Sequence, residues 1–88
     1  MEYTNCLITF VVMKSIELQR EKLKLAGKLY QTRTELGIKQ ADLQEEGIIS
    51  QSHLSKIENA EINVSAILLH ILARRYGKDM SYFFEDNK

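Results

Sequence analysis

The residues best equipped for chemistry lie between Lys39 and Asn59, in the string KQADLQEEGIISQSHLSKIEN. Gln51, Ser52 and Lys56 donate or accept hydrogen bonds, and none of them is an activated nucleophile. A helix running from Ser50 to Glu58 would bring these three groups together, with the Ser50 hydroxyl capping its first turn. A helical step of about 100° per residue turns Ser52, Lys56 and Asn59 away from Leu54 and Ile57, and leaves Gln51 at the N-terminal tip. The chemistry such a face offers is recognition. A glutamine amide matches adenine N6 and N7 together, and a lysine donates to guanine O6 and N7, so the face suits the edges of bases in a major groove. His53 flanks the face, where phosphate or base contact and plain solvent exposure stand equal.

Catalysis has little to work with elsewhere. Cys6 lies in an apolar run, where a thiol is inert. With one Cys and two His, His53 and His70, no metal ligand set assembles and no disulfide framework forms, which points to a reducing cytoplasm. His70 falls on a very apolar stretch and reads as a core or rim histidine. No glycine-rich phosphate loop is present. The expectation is a protein that is not an enzyme, with no metal and no cofactor.

The elements that position the face follow from the pattern. The 88 residues make one small domain, and 44% hydrophobic with 27% charged residues and no proline favours helices. Ser15 to Leu36 reads as one long helix with Leu18, Leu25, Leu29 and Leu36 in a stripe widened by Ala26 and Tyr30, closed by a left-handed cap at Gly37. Arg33 falls on that stripe, and an inward arginine needs a carboxylate partner. Gln40 to Glu46 forms a short helix, and Gly47, Ile48 and Ile49 form the hinge to the helix from Ser50. A turn from Asn59 to Asn63 leads to a helix from Val64 to Tyr76. That helix is apolar nearly all round and is expected to be packed from several sides as the strut of the core. Met80 to Phe84 reads as a short final helix, with Phe83 or Phe84 closing the core.

Residues 1–14 form an N-terminal arm ahead of a domain at 15–88. Cys6 to Met13 is rich in β-branched and aromatic residues and reads as a strand. It is far shorter than the roughly 20 residues a bilayer span takes, so no membrane association is expected. Glu2, with no Lys or Arg before Lys14, disfavours a secretory leader. The strand packs on its own domain, or pairs with its copy in a second chain; a disordered tail, or an extension ahead of a start at Met13, is the remaining reading.

Residues from Leu25 to Phe84 resemble the helix-turn-helix domain of the Cro/cI repressor superfamily, also called the XRE family. The resemblance rests on Arg33, Gly37, Ile38, Gln40, Leu43, Ser50, Leu54, Ser55, Ile57, Glu58 and Asn59. It implies an all-α, five-helix, lambda-repressor-like fold. It also implies a structural ion pair between Arg33 and Glu58, base reading by Gln51, Ser52 and Lys56, and phosphate contacts from Lys39, Gln40 and Asn59. Ser55 and His53 on the flanks complete the expected phosphate contacts. The string GIISQSHLSKIEN further resembles the N-terminal domains of peptide-responsive quorum-sensing regulators of Gram-positive bacteria. Those proteins continue into a helical-repeat domain, so a peptide or protein effector would act outside these residues. Gln44 departs from the alanine usual at the contact between helices two and three, which makes that contact more polar. Ala60 replaces a common glycine, and a positive φ there would cost about 1 kcal/mol.

The resulting expectation is a sequence-specific regulator that binds double-stranded DNA as a homodimer. Twelve basic against twelve acidic residues give no bulk attraction to nucleic acid, so binding must rest on a local patch or on two copies. The alternative is a protein-interaction module of the antitoxin or anti-repressor type, engaging its partner through the apolar strand and Phe83 or Phe84.

Overall fold

The structure is a computed structural model that describes the backbone of residues 2–84, with side chains described from residue 16 onward. Four α-helices and a 3-10 helix follow in order: α1 Glu2–Glu35, α2 Gln40–Glu45, α3 Gln51–Glu58, α4 Ala66–Arg75, and the 3-10 helix Met80–Phe84. The expected fifth α-helix is therefore a single 3-10 segment, and no strand occurs among the described residues.

The N-terminal strand is a correction. Residues from Glu2 onward continue α1, making it 34 residues long. A lone strand would have left its backbone N–H and C=O groups without partners, whereas extending an existing helix satisfies one pair per added residue. No proline occurs anywhere in the chain to stop that extension. The side chains of 1–15, Cys6 among them, lie outside the described residues. No helix among the described residues is long and apolar enough to cross a membrane.

Leu29, Leu43, Leu54 and Leu72 are fully buried, one from each α-helix, and form the centre of the core. Ile49, Ile57, Leu69, Ala73, Tyr76 and Phe83 close around them. Each such aliphatic side chain stabilises the fold by about 1.5–3 kcal/mol through burial, so Leu54 and Ile57 alone hold α3 firmly by one face. Of the stripe expected on α1, only Ala26 and Leu29 are buried, while Leu18 and Tyr30 stand more than half exposed. Among the described side chains of α1, those packed into the core come from its last turns, from Ala26 to Arg33.

The helix from Val64 begins two residues later than expected, because the Ser65 hydroxyl caps α4 by accepting from the Leu68 N–H at 3.1 Å. Nor is α4 surrounded. Leu69, Leu72 and Ala73 are buried, but Ile67 is 76% exposed and Ile71 and His70 also face solvent. His70 is therefore neither core nor rim. With only three other α-helices to cover it, α4 lies against the surface of the domain.

All four α-helices end alike. In each, the residue after the C-cap donates to the carbonyl of the second-last helical residue and the next residue donates to the carbonyl of the third-last, as in Gly37 N–H to Thr34 C=O and Ile38 N–H to Arg33 C=O. This motif needs a left-handed residue, which is Gly37, Gly47 and Gly77 in three helices and Ala60, with φ 61°, in α3.

Candidate nucleic-acid interface

The candidate interface lies on α2 and α3, and its local folding begins with caps. The Ser50 hydroxyl accepts from the His53 N–H at 3.1 Å, which sets where α3 starts. At α2, the Asp42 carboxylate accepts from the Lys39 N–H at 2.9 Å, so an acidic group sits in the first turn where the helix dipole favours it.

With Leu54 and Ile57 buried, the opposite side of α3 is presented outward. Gln51, Ser52, His53, Lys56 and Asn59 are all exposed. The side chains of Gln51, Ser52, His53 and Lys56 engage no hydrogen-bond partner among the described residues. Their donors and acceptors are open to a ligand. Ser55 is half-buried and its Oγ accepts from Asn59 Nδ2 at 3.4 Å. Lys39 is exposed at the N-terminus of α2. Gln40 is half-buried and turned inward, donating from Nε2 to Glu58 Oε1 at 3.0 Å.

The rear of α3 is fixed by a buried charge pair. Arg33 Nε donates to Glu58 Oε2 at 2.7 Å and Nη2 donates to Oε1 at 3.0 Å. Arg33 Nη1 donates to the Ile38 C=O at 2.7 Å. The two side chains are 9% and 3% exposed. One guanidinium thereby ties α1, the entry to α2 and the end of α3, in the fork geometry that suits arginine and carboxylate. The hydrogen bonds that Arg33 donates to Glu58 raise its pKa further against the opposing effect of burial, so the arginine stays charged.

Two contacts were not anticipated from the residues. Gln44 Oε1 accepts from the Gln51 N–H at 2.7 Å, adding a second cap to α3. Gln40 and Gln44 lie four residues apart on one face of α2 and engage opposite ends of α3. The signal was available as a polar i, i+4 pair facing a helix contact where alanine is usual. The second is Arg75, whose Nε and Nη2 donate to Glu46 Oε1 and Oε2 at 2.6 and 2.7 Å, joining the end of α4 to the C-cap of α2. Nothing in the spacing of two surface residues separated by a whole helix indicates such a pair.

These pairs change the local electrostatics. From Lys39 to Asn59 the chain has two lysines against Asp42, Glu45, Glu46 and Glu58. Arg33 and Arg75 come from outside that stretch and neutralise Glu58 and Glu46. The stretch from Lys39 to Asn59 is therefore less acidic in the fold than along the chain.

Comparison with curated proteins and with solved structures found no match. A helix-turn-helix family model matches residues 29–83, which spans the buried end of α1 through the 3-10 helix. With the short helix, tight hinge and capped outward-facing helix in place, the chain belongs to the XRE-type helix-turn-helix family of DNA-binding domains.

Proposed function

We propose that the chain is a sequence-specific DNA-binding transcriptional regulator that acts as a homodimer, with α3 lying in the major groove. The observation that carries this reading is the outward row of Gln51, Ser52 and Lys56, unpartnered among the described residues, on a helix clamped from behind by Leu54, Ile57 and the Arg33–Glu58 pair. Base reading needs such rigidity, because a donor that wanders cannot discriminate between bases. Lys39, at the N-terminus of α2, and Asn59, His53 and Ser55 around α3 are set to hold phosphates on either side. Gln40 contributes chiefly by fixing Glu58.

One such helix spans about four or five base pairs, so useful specificity calls for two copies on half-sites about 10 base pairs apart or a multiple. A near-neutral chain also gains from doubling its phosphate contacts. The resemblance of GIISQSHLSKIEN to quorum-sensing regulators supports control by a peptide or protein effector acting outside these residues.

The test is binding to duplexes selected from a random library, measured across a salt series. Lys56→Ala should lose about 1–3 kcal/mol on the selected duplex and less on a scrambled one if it reads a base. No preference for any duplex, with unchanged affinity in Gln51→Ala and Lys56→Ala, would sink the reading.

A protein-interaction module is the second reading, and the exposed Ile67, Ile71 and Phe84 favour it. Its original basis has narrowed, since the strand is helical and Phe83 is buried in the core. Size-exclusion chromatography distinguishes a discrete homodimer from a monomer, and only a monomer that co-purifies with another protein supports this alternative.

A further inference from the structure

Gln44 is the one side chain of α2 that touches the start of α3 through a hydrogen bond, and the bond determines how its amide is oriented. The Gln51 backbone N–H is a donor, so the group facing it at 2.7 Å must be the carbonyl oxygen. The amide is planar, so its NH2 lies on the other branch from that carbonyl. This NH2 carries two donors with no partner among the described residues, on a residue that is exposed. Gln44 thus presents a held pair of N–H groups immediately beside Gln51, the residue at the tip of the outward face.

The same bond removes an alternative. A free N–H at the first position of a helix is an ordinary phosphate donor. Here the Gln51 N–H is already occupied by the Gln44 carbonyl, so the donors left at that position are those of the Gln44 NH2.

We propose that Gln44 is a further DNA-contacting residue, its carbonyl held by the Gln51 N–H and its NH2 donating to an oxygen or nitrogen acceptor of DNA beside the start of α3. The proposal rests on the DNA-binding reading above. The acceptor is a phosphate oxygen or a base edge, and the two differ in whether sequence matters.

The discriminating variant is Gln44→Glu combined with Glu45→Gln. It keeps an acceptor for the Gln51 N–H, holds net charge constant, and replaces the two donors with a second acceptor. The full chain is compared with this variant and with Gln44→Ala by thermal unfolding and by binding to the selected and scrambled duplexes. The charge-conserving variant should melt no lower than the wild type yet bind the selected duplex about tenfold or more weakly, the loss expected for one hydrogen bond to a charged or well-aligned acceptor. A loss shared by both duplexes marks a phosphate, and one confined to the selected duplex marks a base. Gln44→Ala, which needs no acceptor to fold, should lose binding to a similar degree. If the wild type prefers the selected duplex and Gln44→Ala binds it within about twofold of wild type, Gln44 is only a cap and the proposal is overturned, since a loss in the glutamate variant alone is charge repulsion. If the wild type shows no preference for any duplex, the DNA-binding reading itself falls and takes this contact with it.

Discussion

Glu58 accepts three hydrogen bonds from two different helices: two from Arg33 of α1 and one from Gln40 of α2. The carboxylate sits on the last residue of α3, so the outward face of that helix inherits its orientation from a buried charge. Removing one member of such a pair leaves the other desolvated and alone. Glu58→Ala should therefore destabilise the domain by about 3–5 kcal/mol, a large share of the stability a chain of this length holds. Urea unfolding followed by circular dichroism measures it. A loss under about 1 kcal/mol would mean that water reaches Arg33 and that the pair is not what fixes α3.

Glu46 and Arg75 form the outer counterpart of that pair. The hydrogen bonds from Arg75 hold the Glu46 carboxyl below its ordinary pKa, against the opposing effect of desolvation. A carboxyl with a lowered folded pKa adds stability above its unfolded pKa and loses that contribution as pH falls through the lowered value. Glu46→Gln should accordingly melt below the wild type at neutral pH, with the gap closing in acid and shrinking at high salt, since both side chains are more than a third exposed. Thermal melts of both proteins from neutral to acidic pH follow the gap; one that is constant across this range would show that Glu46 contributes through packing and not through charge.

The parts of the fold that were legible are those whose signal is local. Ser50 as a cap, Leu54 and Ile57 as the inward pair, and the outward row of α3 all follow from helical period and a capping hydroxyl within nine residues. The misreadings share a different cause. Cys6 to Met13 has strand-forming side chains, but its conformation follows from the helix it adjoins, which composition does not record. Ile67 and Ile71 look like core on an apolar helix, and only the number of neighbouring elements reveals that one side stays uncovered. The Arg33–Glu58 pair could be demanded from the stripe on α1, yet its partner could be named only through a family resemblance. Gln44 to Gln51 and Arg75 to Glu46 depend on how the helices come together, which residue spacing along the chain does not encode.

Ala60 offers a simple check on the end of α3. It is the only non-glycine residue with positive φ among the described residues, and it closes the same C-terminal motif that glycine closes elsewhere in the chain. A left-handed alanine costs about 1–2 kcal/mol, partly offset in a glycine variant by the greater freedom of the unfolded chain. Ala60→Gly should thus stabilise the domain by up to about 1 kcal/mol and leave DNA affinity unchanged. Chemical denaturation gives the first quantity and the duplex titration the second. A destabilised variant would indicate that the half-buried Ala60 methyl contributes packing that outweighs the strain.

The Tyr76 hydroxyl is buried without a partner among the described residues. Burial, reinforced by Glu58 and opposed by Arg33 and Arg75, pushes its pKa from 10.0 up to about 12. At neutral pH the unpaired hydroxyl contributes no hydrogen bond while retaining its desolvation cost. Tyr76→Phe should therefore be neutral or stabilising by up to about 1 kcal/mol. Above pH 10 the unfolded chain loses the phenolic proton before the folded one does, so the unfolded state binds fewer protons and stability falls as pH rises toward about 12. The decline from this single group approaches about 1.4 kcal/mol per pH unit. Phenylalanine has no such proton, so the advantage of the variant should widen through that window. Denaturation of both proteins at neutral pH and at two alkaline values measures the trend. A variant that loses more than about 1 kcal/mol at neutral pH would indicate a bonded hydroxyl, with an ordered water between Tyr76 and the Arg33–Glu58 pair as the natural partner.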